Sequence, residues 1–237
     1  MKKTMMSSLL LVSMSLLFGK GATAQTYADD LNAESDATVT FEDGGGTTEI
    51  VDPTDPTKPI DPDPGIINPG TGALRITYVS DIVFGKQKVS NAGKYYAEND
   101  KKFKDQDGNR LTLPNFVAVQ DNRVSADGFR LTVSQAGQLN DGTSDLTGAE
   151  LSFKNLTQAN NSNGVNLPNS AIKLNPNGTE VNVVTAAAGN GSGSSSIGFG
   201  KDVTEGEQSV ELLVPSGTSK SKNEYSTKLN WTLNAAP

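Results

Sequence analysis

Apolar and polar residues alternate along most of the chain from residue 73 onward. Successive side chains of a strand point to opposite faces, so a period of two predicts strands that bury one face. The segments with this pattern are residues 74–78, 111–119, 129–133, 151–153, 180–184, 209–214 and 225–233. Turn-forming stretches such as Asp127-Gly128 separate them, and no segment keeps a helical period of 3.6 residues. The pattern predicts an all-β protein with an antiparallel β-sandwich-like domain.

Two further stretches have weaker patterns. Residues 189–200 read GNGSGSSSIGFG, and this composition predicts a flexible loop inside the sandwich, since strands resume after it. Residues 37–41 (ATVTF) alternate like one short strand, which could not fold alone.

Proline lies at almost every third position of residues 52–64, which read DPTDPTKPIDPDP. Proline lacks the N–H donor and fixes φ, so we expect this segment to form neither strand nor helix and to favour polyproline II geometry. Residues 25–72 carry eight Asp and three Glu against one Lys, whereas residues 73–237 carry sixteen acidic and sixteen basic residues. The sequence therefore predicts a disordered, acidic Pro/Asp-rich spacer over residues 25–72, followed by a neutral β domain over residues 73–237 with no field to attract nucleic acid.

The N-terminus has the three zones of a signal peptide. Lys2 and Lys3 precede the apolar residues 8–18, and Ala22-Thr23-Ala24 has the small-residue spacing of a cleavage site. The apolar run is shorter than the roughly 20 residues that cross a bilayer, and no later run approaches that length. We predict that residues 1–24 are removed and that the exported chain is secreted without membrane insertion.

Composition removes most catalytic chemistry. The chain has no Cys and no His, which excludes disulfides, thiolate or imidazole metal sites, and Ser-His-Asp or Cys-His catalysis. We therefore predict a protein without cofactor or metal that is not an enzyme. Carboxylate chemistry remains open, because a glycosidase needs only two carboxylates, but the sequence marks out no pair. Asp105, Asp107 and Asn109 have the spacing of a Ca²⁺ loop, yet Arg110 and Phe116 stand where such a loop needs Gly and Glu, so we expect a turn.

An aromatic-x-Leu step occurs in two of the predicted strands. It is Phe129-x-Leu131 in the first and Trp231-x-Leu233 in the second. Residues two apart share a face, so each pair forms an apolar patch. The patches are either part of the sandwich core or an exposed platform for a ligand, and the sequence leaves both interpretations open.

These steps and their surroundings resemble the WxL-domain surface proteins of low-GC Gram-positive bacteria. The resemblance is carried, in this order along the chain, by the spacer at residues 52–64, LRITYVSDIVFG at 74–85, GFRLTVSQ at 128–135 and LNWTL at 229–233. It implies a secreted cell-surface protein that attaches non-covalently to the cell wall through its C-terminal domain, with peptidoglycan or another cell-wall glycan as ligand.

The resemblance also implies the residues and the partners. It places the motif, and with it a candidate wall-binding site, at Phe129, Leu131, Trp231 and Leu233, although the family usually has Trp where this chain has Phe129. The implied partners include other WxL proteins and membrane-anchored WxL-interacting proteins. Two alternatives stay open: a structural subunit of a surface complex without glycan contact, and a carboxylate-based wall hydrolase.

Overall fold

The computed structural model describes residues 26–34, 37–46, 49–90, 93–160, 164–169 and 171–235, so the predicted signal peptide lies outside the described residues. The chain divides into two compact units, residues 1–41 and 42–237. In the first, β1 (Thr26–Asp29) and β2 (Asn32–Glu34) form an antiparallel hairpin. Residues 37–41 are exposed and form no strand, so that prediction is wrong.

The second unit is nearly all β, as predicted. Its elements are β3 (Ile50–Asp52), β4 (Asp55–Pro62), β5 (Leu74–Val79), β6 (Lys94–Tyr96), β7 (Phe103–Lys104), β8 (Phe116–Asp121), β9 (Phe129–Gln135), β10 (Glu150–Phe153), β11 (Leu156–Asn160), β12 (Ile172–Lys173), β13 (Val181–Ala186), β14 (Gly193–Phe199), α1 (Val203–Gly206), β15 (Val210–Leu213) and β16 (Leu229–Ala235). They form four antiparallel sheets with the orders β11-β14-β8-β5, β13-β9-β16, β12-β10-β15-β6 and β3-β4-β7. No helix in the described part of the chain has the length and apolar character needed to cross a membrane.

The sheet β11-β14-β8-β5, here called the central sheet, is covered on both faces. All six residues of β8 are buried, and the side chains of its first four residues alternate between two hydrophobic cores. Val117 and Val119 belong to the main core, which they share with β9, β10, β13 and β15. Phe116 and Ala118 point the other way, into a second core beneath β3, β4 and β7. The sandwich therefore has a third layer on the far side of its central sheet.

That third layer comes from the segment predicted to be a spacer. Strand β4 pairs with β3 and then with β7, and Ile50 and Ile60 are buried opposite each other in the second core. The prediction that residues 52–64 form no strand is wrong. Residues 55–60 of β4 pair only with β3, and residues 61–62 pair only with β7. Each part of the strand therefore has one free edge, as in the edge strands where proline is tolerated. The boundary between the compact units falls after residue 41 and not at residue 72.

The glycine- and serine-rich segment also forms a strand. Residues 193–199 are β14, which pairs with both β8 and β11 inside the central sheet, so the predicted loop is wrong beyond residue 192. Small residues are needed because the third layer packs directly on this strand. A Cβ on Gly198 would lie 2.9 Å from Thr157 Oγ1 and 3.3 Å from Pro53 Cβ. Ser196 Oγ donates a hydrogen bond of 2.7 Å to the Val51 carbonyl.

Candidate functional site

The two aromatic-x-Leu strands are neighbours in one sheet. Strand β9 lies between β13 and β16, and β16 pairs with it along its whole length. Leu233 lies opposite Leu131 and Trp231 lies opposite Val133, while Phe129 faces Ala235. Residues directly opposite in a ladder share a face, so both motifs contribute to one apolar surface. The two aromatic rings are not cross-strand partners.

Burial separates the first motif from the second. Phe129 and Leu131 are completely buried in the main core. Trp231 and Leu233 pack against that core and are partly exposed. As the chain is folded, the first pair is therefore inaccessible to a ligand, whereas the second has an accessible edge.

Trp231 joins an aromatic cluster at the border of the main core. Its ring centroid lies 5.9 Å from that of Phe153 and 6.4 Å from that of Phe199. Those two rings stack on each other at 4.6 Å with an interplanar angle of 20°. The cluster connects β16, β10 and β14, which belong to three different sheets, so Trp231 stabilises the packing of sheets.

Two glycines shape the space around Phe129. Gly128 has a φ of 82°, and a Cβ there would lie 2.2 Å from the Ala186 carbonyl oxygen. A Cβ on Gly191 would lie 2.7 Å from Phe129 Cε1. The phenyl ring therefore fills its site up to the backbone of residue 191, which leaves no room at that edge for a larger ring.

A charged cluster lies on the outward face of the sheet β12-β10-β15-β6, here called the charged sheet. The Glu211 side chain is only 8% exposed, and Lys154 Nζ lies 2.8 Å and Lys94 Nζ 3.7 Å from its Oε2. Tyr96 is directly opposite Glu211 in the ladder. Burial raises the pKa of Glu211, but its bonds to Lys154 and Tyr96 and the charge of Lys94 outweigh burial, so the pKa lies below the usual Glu value. Burial and Glu211 together raise the pKa of Tyr96.

Two open clefts adjoin this cluster. One has a volume of about 450 Å³ and is lined by Tyr96, Ala97, Glu98, Asn99, Lys101, Thr112 and Glu207. The other has a volume of about 390 Å³ and is lined by Lys154, Asn155, Leu156, Pro168, Asn169 and Ala171. Sequence reasoning missed this region. The one available signal was Glu211, a charged residue between the apolar Val210 and Leu212 in a predicted strand.

The Asp105 turn is closed by its own hydrogen bonds. The Asp105 carboxylate accepts from Asn109 N at 2.7 Å and Nδ2 at 3.0 Å, and from Asp107 N at 3.0 Å. These hydrogen bonds lower the pKa of Asp105, and the bond from the Asn109 side chain has the largest effect. Among the residues that the structure describes, no group of three or more acidic side chains is arranged to hold a metal ion.

Comparison with known proteins gives one match. A protein-family model described as "WxL domain surface cell wall-binding" matches residues 28–237. The chain belongs to the WxL-domain family. It is therefore a surface protein whose WxL domain binds the cell wall, as the resemblance implied. The match begins ahead of the third layer, so residues 50–62 fall inside the region assigned to the WxL domain. Searches of curated proteins and of solved structures found no match.

Proposed function

We propose that this WxL protein attaches to the wall by non-covalent, non-catalytic binding of the glycan of peptidoglycan, through residues 42–237. The match of the cell wall-binding family over residues 28–237 is the observation that carries the proposal. It covers the whole of the second compact unit, which contains both cores and both clefts.

The state of the buried carboxylate supports binding without catalysis. A glycosidase needs a carboxylic acid whose raised pKa keeps a proton ready for the leaving group. Glu211 has the opposite environment, because Lys154, Tyr96 and Lys94 lower its pKa. It stays ionised near neutral pH, so it holds two lysines in place and has no proton to donate.

The experiment is co-sedimentation of the protein with purified Gram-positive walls, before and after removal of teichoic acids. Retention on bare peptidoglycan with no soluble fragments released is the expected result. Binding that disappears with the teichoic acids would contradict the glycan as ligand. Release of soluble muropeptides would contradict the absence of catalysis and favour the wall hydrolase.

A structural-subunit role is favoured by one observation in the first unit. Val39 and Phe41, two apart in the alternating segment 37–41, are 74% and 75% exposed. The segment is not a strand in the folded chain, but on pairing with a strand of another protein its apolar side chains would lie on one side. We propose that this segment binds a second surface protein, such as another WxL protein or a membrane-anchored WxL-interacting protein. A Val39→Asp/Phe41→Asp variant should keep wall binding and lose co-purification with such partners.

A further inference from the structure

We propose that the outward face of the charged sheet, with the two clefts beside it, is the glycan-binding surface, and that a neutral, acetamido-sugar chain lies across it. This inference rests on the proposed function and adds its site and ligand chemistry. We place this surface away from the aromatic-x-Leu motifs, because Phe129 and Leu131 are fully buried and Trp231 packs beside the rings of Phe153 and Phe199.

The register of the charged sheet places polar residues in one row. Tyr96 lies opposite Glu211, Glu211 opposite Ser152, and Ser152 opposite Lys173. The four residues come from four adjacent strands and share the outward face. On either side of Glu211, Val210 points into the main core, and Leu212 points into a third apolar cluster that includes Tyr95, Leu139 and Leu146. With strands about 4.8 Å apart, the row is about 14 Å long. Its middle residues, Glu211 and Ser152, are buried, so a polymer would contact the accessible ends of the row, Tyr96 and Lys173, and the clefts beside it.

The two clefts are connected through this row. Tyr96 lines the larger cleft and Lys154 lines the smaller one. Both residues adjoin Glu211: Lys154 forms an ion pair of 2.8 Å with it, and Tyr96 lies directly opposite it in the ladder. Glu211 is nearly buried and adjoins one lining residue of each cleft, Lys154 in the smaller cleft and Tyr96 in the larger. A chain that occupies both clefts therefore crosses a preorganised surface.

Charge pairing points to an uncharged ligand. The lysines of this face are all paired within the described residues: Lys94 and Lys154 with Glu211, and Lys173 with Glu150 at 2.8 Å. In the larger cleft one lysine accompanies two glutamates. Together the face and this cleft carry four lysines (Lys94, Lys101, Lys154, Lys173) and four glutamates (Glu98, Glu150, Glu207, Glu211), so they have no excess positive charge to attract a polyanion such as a teichoic phosphate chain.

The remaining side chains suit sugars that carry acetamido groups. Tyr96 offers a partly exposed ring beside its hydroxyl, and such amphipathic rings pack on surfaces that have one apolar side. Asn155 and Asn169 in the smaller cleft carry amides, which donate and accept hydrogen bonds as hydroxyl and acetamido groups require. Peptidoglycan glycan is such a polymer, whereas its phosphate-containing neighbours in the wall are not.

The test measures binding of the full protein and its variants to teichoic-acid-free peptidoglycan by sedimentation. Tyr96→Ala alters the larger cleft and Asn169→Ala the smaller one, and Asn169 is exposed, so its replacement leaves the fold intact. Asn230→Ala is the matched control, an exposed asparagine on β16 away from the charged sheet. We expect each cleft variant to bind about tenfold more weakly, which is about 1.4 kcal/mol, and the control to bind like the parent.

The outcomes separate this inference from the proposed function. No binding by the parent protein would refute the proposed function itself. Parent binding together with unchanged affinity in either cleft variant would overturn the spanning site alone, as would an equal loss in Asn230→Ala. Binding should also survive roughly 1 M NaCl, where the Debye length is about 3 Å. Elution by salt would show that the ligand is a polyanion and overturn the neutral-glycan assignment.

Discussion

Ser196 in the central sheet donates a hydrogen bond of 2.7 Å to the main-chain carbonyl of Val51 in the third layer. Val51 is 1% exposed and its neighbour Ile50 is 2% exposed. The layer is therefore packed onto the sandwich as part of the folded unit.

Truncation tests this layer. A fragment of residues 73–237 lacks Ile50 and Ile60 and exposes Tyr78 and Phe116, which share the second core with them. Burial of one isoleucine is worth about 1.5–3 kcal/mol, so we expect the fragment to be less stable than residues 42–237 by at least about 3 kcal/mol. Urea unfolding of both fragments provides the measurement. Equal midpoints would mean that residues 42–72 add nothing to the domain.

Trp231 is the only tryptophan, so its fluorescence reports one site. Its ring is partly buried beside Phe153 and Phe199, and we expect Trp231→Ala to cost about 3 kcal/mol of unfolding free energy. Wall affinity should fall only as the protein unfolds. Chemical denaturation followed by circular dichroism, combined with wall sedimentation, separates the two effects. A stable Trp231→Ala protein without wall affinity would make the motif a binding site.

Phe129→Trp would introduce the residue that the family usually has. In this chain the backbone of Gly191 closes the site at the edge of the ring. A Cβ added to Gly191 would lie 2.7 Å from Phe129 Cε1. We expect the larger ring to overpack the core and destabilise the fold by about 1–3 kcal/mol. Thermal unfolding of Phe129→Trp against the parent measures this, with Leu233→Met as a control for a volume-conserving change nearby. An unchanged melting temperature would show that the loop at Gly191 yields.

Acid should weaken the fold through Glu211. Its folded-state pKa lies below the usual value of about 4.3, so its interactions with Lys154 and Tyr96 stabilise the fold above that pH. The contribution is lost as the pH falls through the lowered folded-state pKa. Glu211→Gln should lower the free energy of unfolding by only about 1 kcal/mol at pH 7, because the lysine partners are partly exposed. The variant should also lose less stability than the parent on acidification. Parallel pH profiles for variant and parent would contradict this.

The sequence predicted strands where alternation reflects one buried face. In β9 the alternation is chemical: Phe129, Leu131 and Val133 fill the main core, while the polar Arg130, Thr132 and Ser134 lie on the other face. The alternation pattern did not predict β14. Both faces of this strand are covered, and close packing there requires Gly and Ser instead of large apolar residues. The prediction for β4 was wrong because it considered only the prolines and not Ile50 and Ile60, whose burial holds the layer in place.

The charged cluster could not be predicted for a different reason. Tyr96, Lys154 and Glu211 come from segments far apart in the chain, and they meet because β15 pairs with β6 on one side and with β10 on the other. Pairing between distant strands depends on the whole topology, which local pattern does not specify. The aromatic-x-Leu motifs were found because each lies within a single strand.

The covered central sheet also sets the order in which the chain can fold. Strands β3 and β4 of the third layer lie within residues 50–62, near the start of the second unit. They rest on β14, whose Ser196 lies 145 residues after its hydrogen-bond partner Val51. Contacts of such sequence separation form slowly, because a long loop must close before they gain any energy. On export N-terminus first, which the predicted signal peptide implies, the chain would complete this fold only after almost all of it had crossed the membrane. The wall-binding domain would then be finished only on the outer side.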